Sequence, residues 1–181
     1  MKHLLPLLCC LLVAQHSVLA QATTIATFDS AKVTTGDALP GSNVIVTVSF
    51  KIQAGYYLHV NRPSVPRATP TMIQTGTVGA TRALPAAYGA SGQKAIPGNP
   101  APVPVYEGGL TVQIPVMIAP NAAFPITLPG VLAYAPVNEK TQVAGRLEQV
   151  RFNITIPRAT NAPPANPKAP ASPKAADPKK K

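Results

Sequence analysis

The chain has 181 residues, 22 prolines, no tryptophan, two cysteines and a formal net charge of +10. Most of that charge is not on the part able to fold: Arg158 to Lys181 holds six Lys or Arg against one Asp, whereas Gln21 to Pro157 holds nine against five acids. A core of net +4 without a basic, aromatic-interleaved stripe excludes a nucleic-acid binding reading.

In chain order, residues 1–20 come first. Lys2 and His3 precede an apolar run from Leu4 to Ala14, and Val18-Leu19-Ala20 leads to Gln21. This is the layout of a secretory signal peptide, too short to span a bilayer, with cleavage expected after Ala20. Cys9 and Cys10 lie inside the apolar run, not at its end, which disfavours a lipoprotein anchor. With the leader removed no cysteine remains, so the core has to be held by apolar packing. The expected product is periplasmic or secreted.

Ala22 to Ala26 and Ala31 to Thr34 are expected as short edge strands or a lead-in, and Asp37 to Ser42, containing Pro40-Gly41, as a turn. Val44, Val46, Val48, Phe50 and Ile52 alternate, which places all five on one face of a strand. Ala54-Gly55 turns the chain into a second short strand from Tyr56 to Val60, which Pro63 and Pro66 stop. Thr71 to Val78 is a further strand. Gly79 to Pro104, rich in Gly and Pro, is expected as a mobile surface loop.

Val105 to Gly109 reads as a short strand or turn, and Leu110, Val112, Ile114, Val116 and Ile118 alternate as the next strand. Pro115 lacks an N–H, so its position has to face an edge or a bulge. Phe124 to Leu128 and Val131 to Ala135 flank Pro129-Gly130 as two pieces, and Val150, Phe152, Ile154 and Ile156 form a last amphipathic strand. Arg158 to Lys181 contains nothing larger than alanine among its apolar residues besides proline, and is expected as a disordered tail. Seven to nine strands without a helix predict an all-β fold, an immunoglobulin-like β-sandwich over 21–157.

Little in the mature chain suggests catalysis. His59 is its single histidine, expected to be half exposed, and it has neither a ligand cluster for a metal nor a nucleophile elbow around Ser49, Ser64 or Ser91. No cofactor is expected. Glu139 and Lys140 read as a solvated turn pair.

Gly55-Tyr56-Tyr57-Leu58, Asn61-Arg62-Pro63 with Pro70-Thr71, Val105-Tyr106-Glu107-Gly108 and Leu132-Ala133-Tyr134-Ala135 occur in an order that resembles the N-terminal periplasmic domain of DsbD-type thiol:disulfide interchange proteins. The resemblance spans about Val33 to Ile156. It implies an immunoglobulin-like sandwich that takes electrons from a membrane domain and passes them to thioredoxin-like partners through two cysteines after the tyrosine matching Tyr134. Both are absent here; Val137 and Gln142 are the expected occupants of their places, and neither can form a thiolate or disulfide. Tyr88-Gly89 resembles part of the family's cap loop, although a tyrosine packed on the sandwich edge is the favoured reading of Tyr88.

The expectation is therefore a redox-inactive, non-enzymatic protein-interaction module. Its surface is expected on the loops Tyr88 to Pro104 and Pro136 to Val143, and its candidate partner-binding residues are Tyr88, Gly89, Tyr106, Tyr134, Val137, Asn138 and Gln142. Expected partners are thioredoxin-like or other envelope proteins, the former if the chain serves thiol:disulfide exchange as an accessory. A third reading is an envelope-binding domain attached through weak contact of Lys179, Lys180 and Lys181 with an anionic surface.

Overall fold

Alternation of apolar residues decides the architecture. In β2 (Asn43–Ile52) and β10 (Gly109–Met117) every second side chain is buried, and the two strands pair antiparallel from Gly109↔Lys51 to Met117↔Asn43. They form the middle of a six-stranded sheet ordered β1-β2-β10-β6-β5, with β7 also pairing β10. The other members are β1 (Ala26–Thr35), β5 (Thr77–Val78), β6 (Thr81–Ala83) and β7 (Ala87–Tyr88). A three-stranded sheet joins β13 (Glu148–Ile156), β11 (Ile126–Tyr134) and β4 (Met72–Thr75), in that order. Val44, Val46, Val48, Phe50, Leu110, Val112, Ile114 and Val116 share one buried cluster with Leu128, Leu132, Phe152, Ile154 and Ile156, which makes the two sheets a sandwich. The computed structural model describes residues 24–160. The expected leader with its cleavage after Ala20, and the tail beyond Thr160 with Lys179, Lys180 and Lys181, lie outside the described residues.

A third sheet is ordered β12-β3-β9-β8, from β12 (Pro136–Asn138), β3 (Tyr56–His59), β9 (Val103–Glu107) and β8 (Gly92–Lys94). Neighbouring residues of β3 and β9 point to opposite faces, and both faces are buried. Leu58 and Tyr106 enter the main core. Tyr57, Val103, Val105 and Val137 form a second core, packed against Val65 and Ile96. The stretch after β8 therefore covers the outer face of this sheet.

The all-β sandwich is as expected, but the described residues hold thirteen strands, not seven to nine. Much of the surplus comes from Gly79 to Pro104, expected as a loop, where β6, β7 and β8 are two or three residues long and show no period; β5 and β12, equally short, add to it. Of the two edge strands expected near the start, Ala31 to Thr34 lies within one continuous β1 that begins only at Ala26, the last residue of the other, and whose register shifts between Phe28 and Ser30 and between Val33 and Thr35. Such bulges twist an edge strand away from further pairing. Thr71 to Val78 is divided between two sheets, β4 in one and β5 in the other, with the chain crossing at Gly76.

Pro129-Gly130 does not turn the chain. β11 runs straight through both residues, with Gly130 opposite Phe152 and Pro129 opposite Asn153. The Phe152 ring lies over Gly130, filling the space a side chain would need. The prolines inside β10 and β11 obey one rule. Leu84 N–H donates to the Pro115 carbonyl (2.8 Å), so the Pro115 backbone faces the interval between β6 and β7. Gly76 N–H donates to the Pro129 carbonyl (2.8 Å), which puts Pro129 against the interval between β4 and β5. Each missing N–H meets a break in the neighbouring strand, where no ladder bond is lost.

Candidate functional site

The two stretches singled out from the sequence, Tyr88 to Pro104 and Pro136 to Val143, meet on the third sheet. β12 continues into a narrow hairpin. Asn138 N–H donates to the Val143 carbonyl (3.1 Å) and Gly145 N–H to the Pro136 carbonyl (2.7 Å), around a bridge between Val137 and Ala144. The tip is closed by the Asn138 side chain, whose Oδ1 accepts from Lys140 N–H (3.0 Å) and Thr141 N–H (3.1 Å). This is an Asx turn. Gln142 adopts φ 55°, a left-handed conformation costly for a side chain with a Cβ. Its amide offsets that cost: Nε2 donates to the Glu139 carbonyl (2.6 Å) and Oε1 accepts from the Tyr57 hydroxyl (3.0 Å). Glu139 N–H donates to the Gly55 carbonyl (2.9 Å), tying the tip to the turn before β3.

Lys94 on β8 joins the stretch Tyr88 to Pro104 to this hairpin. Its Nζ pairs with Glu107 at the end of β9 and with Glu139 (3.3 Å), and it stands 5.3 Å from the centroid of the Tyr57 ring. The bond to Glu107, more than the one to Glu139, holds the ammonium pKa above its ordinary value. Burial raises the Tyr57 phenol, and the Lys94 charge opposes that rise. Glu139 and Lys140 are thus not a turn pair: Glu139 reaches back to Lys94, and Lys140 has no acid within salt-bridge distance among the described residues. Replacing Lys94 by methionine is expected to lower stability by about 1 kcal/mol, the scale of a partly exposed ion pair. Hydrogen exchange should quicken in β8 and at 139–142 and stay unchanged in β2 and β10; a uniform increase would refute a local clamp.

The seven candidate residues do not form one surface. Val137, Asn138 and Gln142 share the hairpin, with Val137 buried in the second core and the other two half-buried. Val137 and Gln142 do not face each other across the hairpin: the residue opposite Val137 is Ala144. Tyr88, Gly89 and Tyr106 gather on the flank of the sandwich. The Tyr88 hydroxyl accepts from Ile73 N–H (2.8 Å), its ring stacks on Tyr106 (6.4 Å, 19°), and Gly89 N–H donates to the Thr111 carbonyl (2.8 Å). A Cβ on Gly89 would stand 2.9 Å from that carbonyl oxygen. Tyr88 therefore pegs β7 to β4, and Tyr106 lies in the main core.

Tyr134 is fully buried away from both groups. Its hydroxyl donates to Glu148 Oε2 (2.6 Å) and accepts from Ala26 N–H (2.9 Å). Burial, then the Glu148 carboxylate, pushes its pKa far up. Tyr57 and Glu107 entered the sequence reading only as motif residues and Lys94 not at all, because no spacing signal links residues brought together only by the sheet.

His59 corrects another expectation: it is 8% exposed, not half exposed. Its ring stands edge-on to Tyr57 (5.6 Å, 86°), and Nδ1 has no hydrogen-bond partner among the described residues. Burial lowers its pKa below 6.5. The unfolded chain then binds more protons between the folded and unfolded values, so stability is highest above pH 6.5 and falls as pH drops below it. Melting temperature followed from pH 7.5 to about 5 should show this decline, and His59→Gln should flatten it.

No protein-family model matches the sequence, and no match is found among curated proteins. Among solved structures the chain is similar to the N-terminal domain of Neisseria meningitidis DsbD in the reduced form, at 17% identity and TM-score 0.44, covering 72% of this chain and 86% of that one. It is also similar to the N-terminal periplasmic domain of ScsB from Proteus mirabilis, at 13% identity and TM-score 0.47, covering 75% of this chain and 47% of that one.

Proposed function

We propose that this chain is an exported β-sandwich module that binds another envelope protein through the hairpin 136–145 and through β8, whose Lys94 side chain reaches the hairpin tip, without thiol chemistry of its own. The observation that carries the reading is the hairpin itself. Its motifs resemble a redox domain, yet Val137 is a core side chain and Gln142 spends its amide on Tyr57 and the hairpin backbone. A loop built to exchange electrons needs an accessible thiolate, and the sequence has no cysteine beyond Cys10. Export rests on the layout of residues 1–20.

What remains useful is shape. The Lys94 ion pairs and the Asx turn hold two chain segments in a fixed relation, which lowers the ordering cost of binding. The test is affinity capture from envelope extract with the mature protein and with a variant whose residues 139–142 are replaced by Asn-Gly. A partner identified by mass spectrometry should be recovered by the first and lost by the second. Recovery of thioredoxin-like proteins would identify the chain as an accessory of thiol:disulfide exchange. Equal recovery by both, or a mass shift of the mature protein under thiol-labelling reagent, would overturn the reading.

A further inference from the structure

We propose that the outer edge of the hairpin, residues 143–147, accepts an extended acidic segment of another protein by strand addition; this rests on the module reading above. The bonds from Asn138 to Val143 and from Gly145 to Pro136 flank the Val137–Ala144 bridge. In such a non-hydrogen-bonded pair the N–H and C=O of both residues point away from each other. On the inner side those of Val137 face β3, with which β12 pairs. On the outer side those of Ala144 face solvent, and neither they nor the backbone groups of Arg146 have a partner among the described residues. The sheet therefore ends in an open edge, the template used in strand-addition recognition.

The side chains of this edge specify what fits. Val143 and Leu147 are 63% and 61% exposed, the two most exposed large apolar residues described. Every residue between them is also exposed. Charge supplies the sign. Asp29, Glu107 and Glu139 are held in ion pairs, and Glu148 accepts from Tyr134 and Ile25. Lys140 and Arg146, beside the open edge, have no acid within salt-bridge distance among the described residues. A strand carrying branched apolar side chains between acidic ones complements all three features. β8, at the opposite edge of the sheet, lacks them: its one charge, Lys94, is already shared by two carboxylates.

The probe is the peptide acetyl-Glu-Thr-Val-Thr-Val-Glu-amide, with a control in which lysine replaces both glutamates, titrated into the full mature protein. Hydrogen exchange should slow at Ala144 and Arg146 amides. The lysine peptide should bind about tenfold more weakly, and so should the acidic peptide to a Lys140→Glu, Arg146→Glu double variant. Ala144→Pro removes the outward N–H while leaving both bonds to β12, and should abolish binding. Equal affinity for the two peptides, or protection centred on β8, would overturn the inference. So would phosphatidylglycerol vesicles binding through Lys140 and Arg146 when the acidic peptide does not. An envelope partner lost on shortening the hairpin but indifferent to Ala144→Pro and to the charge reversal would leave the module reading standing and remove this one.

Discussion

Replacing Gly130 by valine is expected to destabilise the sandwich by about 3 kcal/mol, the upper part of the range for overpacking a well-filled core. A Cβ at this position would lie 2.3 Å from Phe152 Cζ and 2.5 Å from Cε2. The ring cannot simply move aside, since it is stacked on Phe28 (5.5 Å, 11°) and meets Phe50 edge-on (5.2 Å, 80°). Relief would require Phe28, at 37% exposure, to be pushed outward with the ring, losing the stack. Urea unfolding of Gly130→Val, of Phe152→Leu and of the double variant gives the check. The smaller leucine vacates the space, so the double variant should lose clearly less than the sum of the two single losses. Additive losses would mean that the clash is absorbed elsewhere.

Tyr134→Phe is expected to cost about 2 kcal/mol, because it leaves a buried donor unpaired without creating a cavity. The hydroxyl is the acceptor for Ala26 N–H, and Ala26 is fully buried. It also donates to Glu148 Oε2, which in turn accepts from Ile25 N–H (3.3 Å). One oxygen thus connects the beginning of β1 to β11 and β13. Its loss should appear first as faster amide exchange at Ile25 and Ala26, with the centre of β2 slowest to respond. A variant as stable as the parent would show that water or a backbone adjustment satisfies Ala26.

The fold was readable where burial is one-sided. β2, β10 and β13 alternate over nine or ten residues, because one face of each meets the core and the other meets solvent or polar neighbours. β6, β7 and β8 escaped for the opposite reason, since two or three residues cannot display a period. Pro129-Gly130 misled because the dipeptide is a turn signal locally, and only Phe152, 22 residues later, shows why glycine is needed within a strand. The candidate site was half legible. Asn138 and Gln142 could be placed on a loop from the motif before them, and both prove to close its tip. Lys94 could not be placed, because its partners Glu107 and Glu139 come 13 and 45 residues later in a chain whose order gives no hint of adjacency. Tyr106, Tyr134 and Val137 were read as surface and lie in the cores, as aromatic and branched residues beside a strand turn commonly do.

Pro115 and Pro129 matter also to the chain before it has folded. β10 and β11 are inner strands of their sheets and are rich in branched apolar residues, the kind of segment that stacks between molecules into dry, in-register fibrils. In a stacked strand every residue's single N–H is needed by the neighbour on one side or the other. In the native sandwich each proline sits against a break and loses nothing, whereas in a stack of identical chains the same nitrogen would interrupt every layer. The two prolines therefore act as gatekeepers, tolerated by the one correct arrangement and penalised in the aggregated ones.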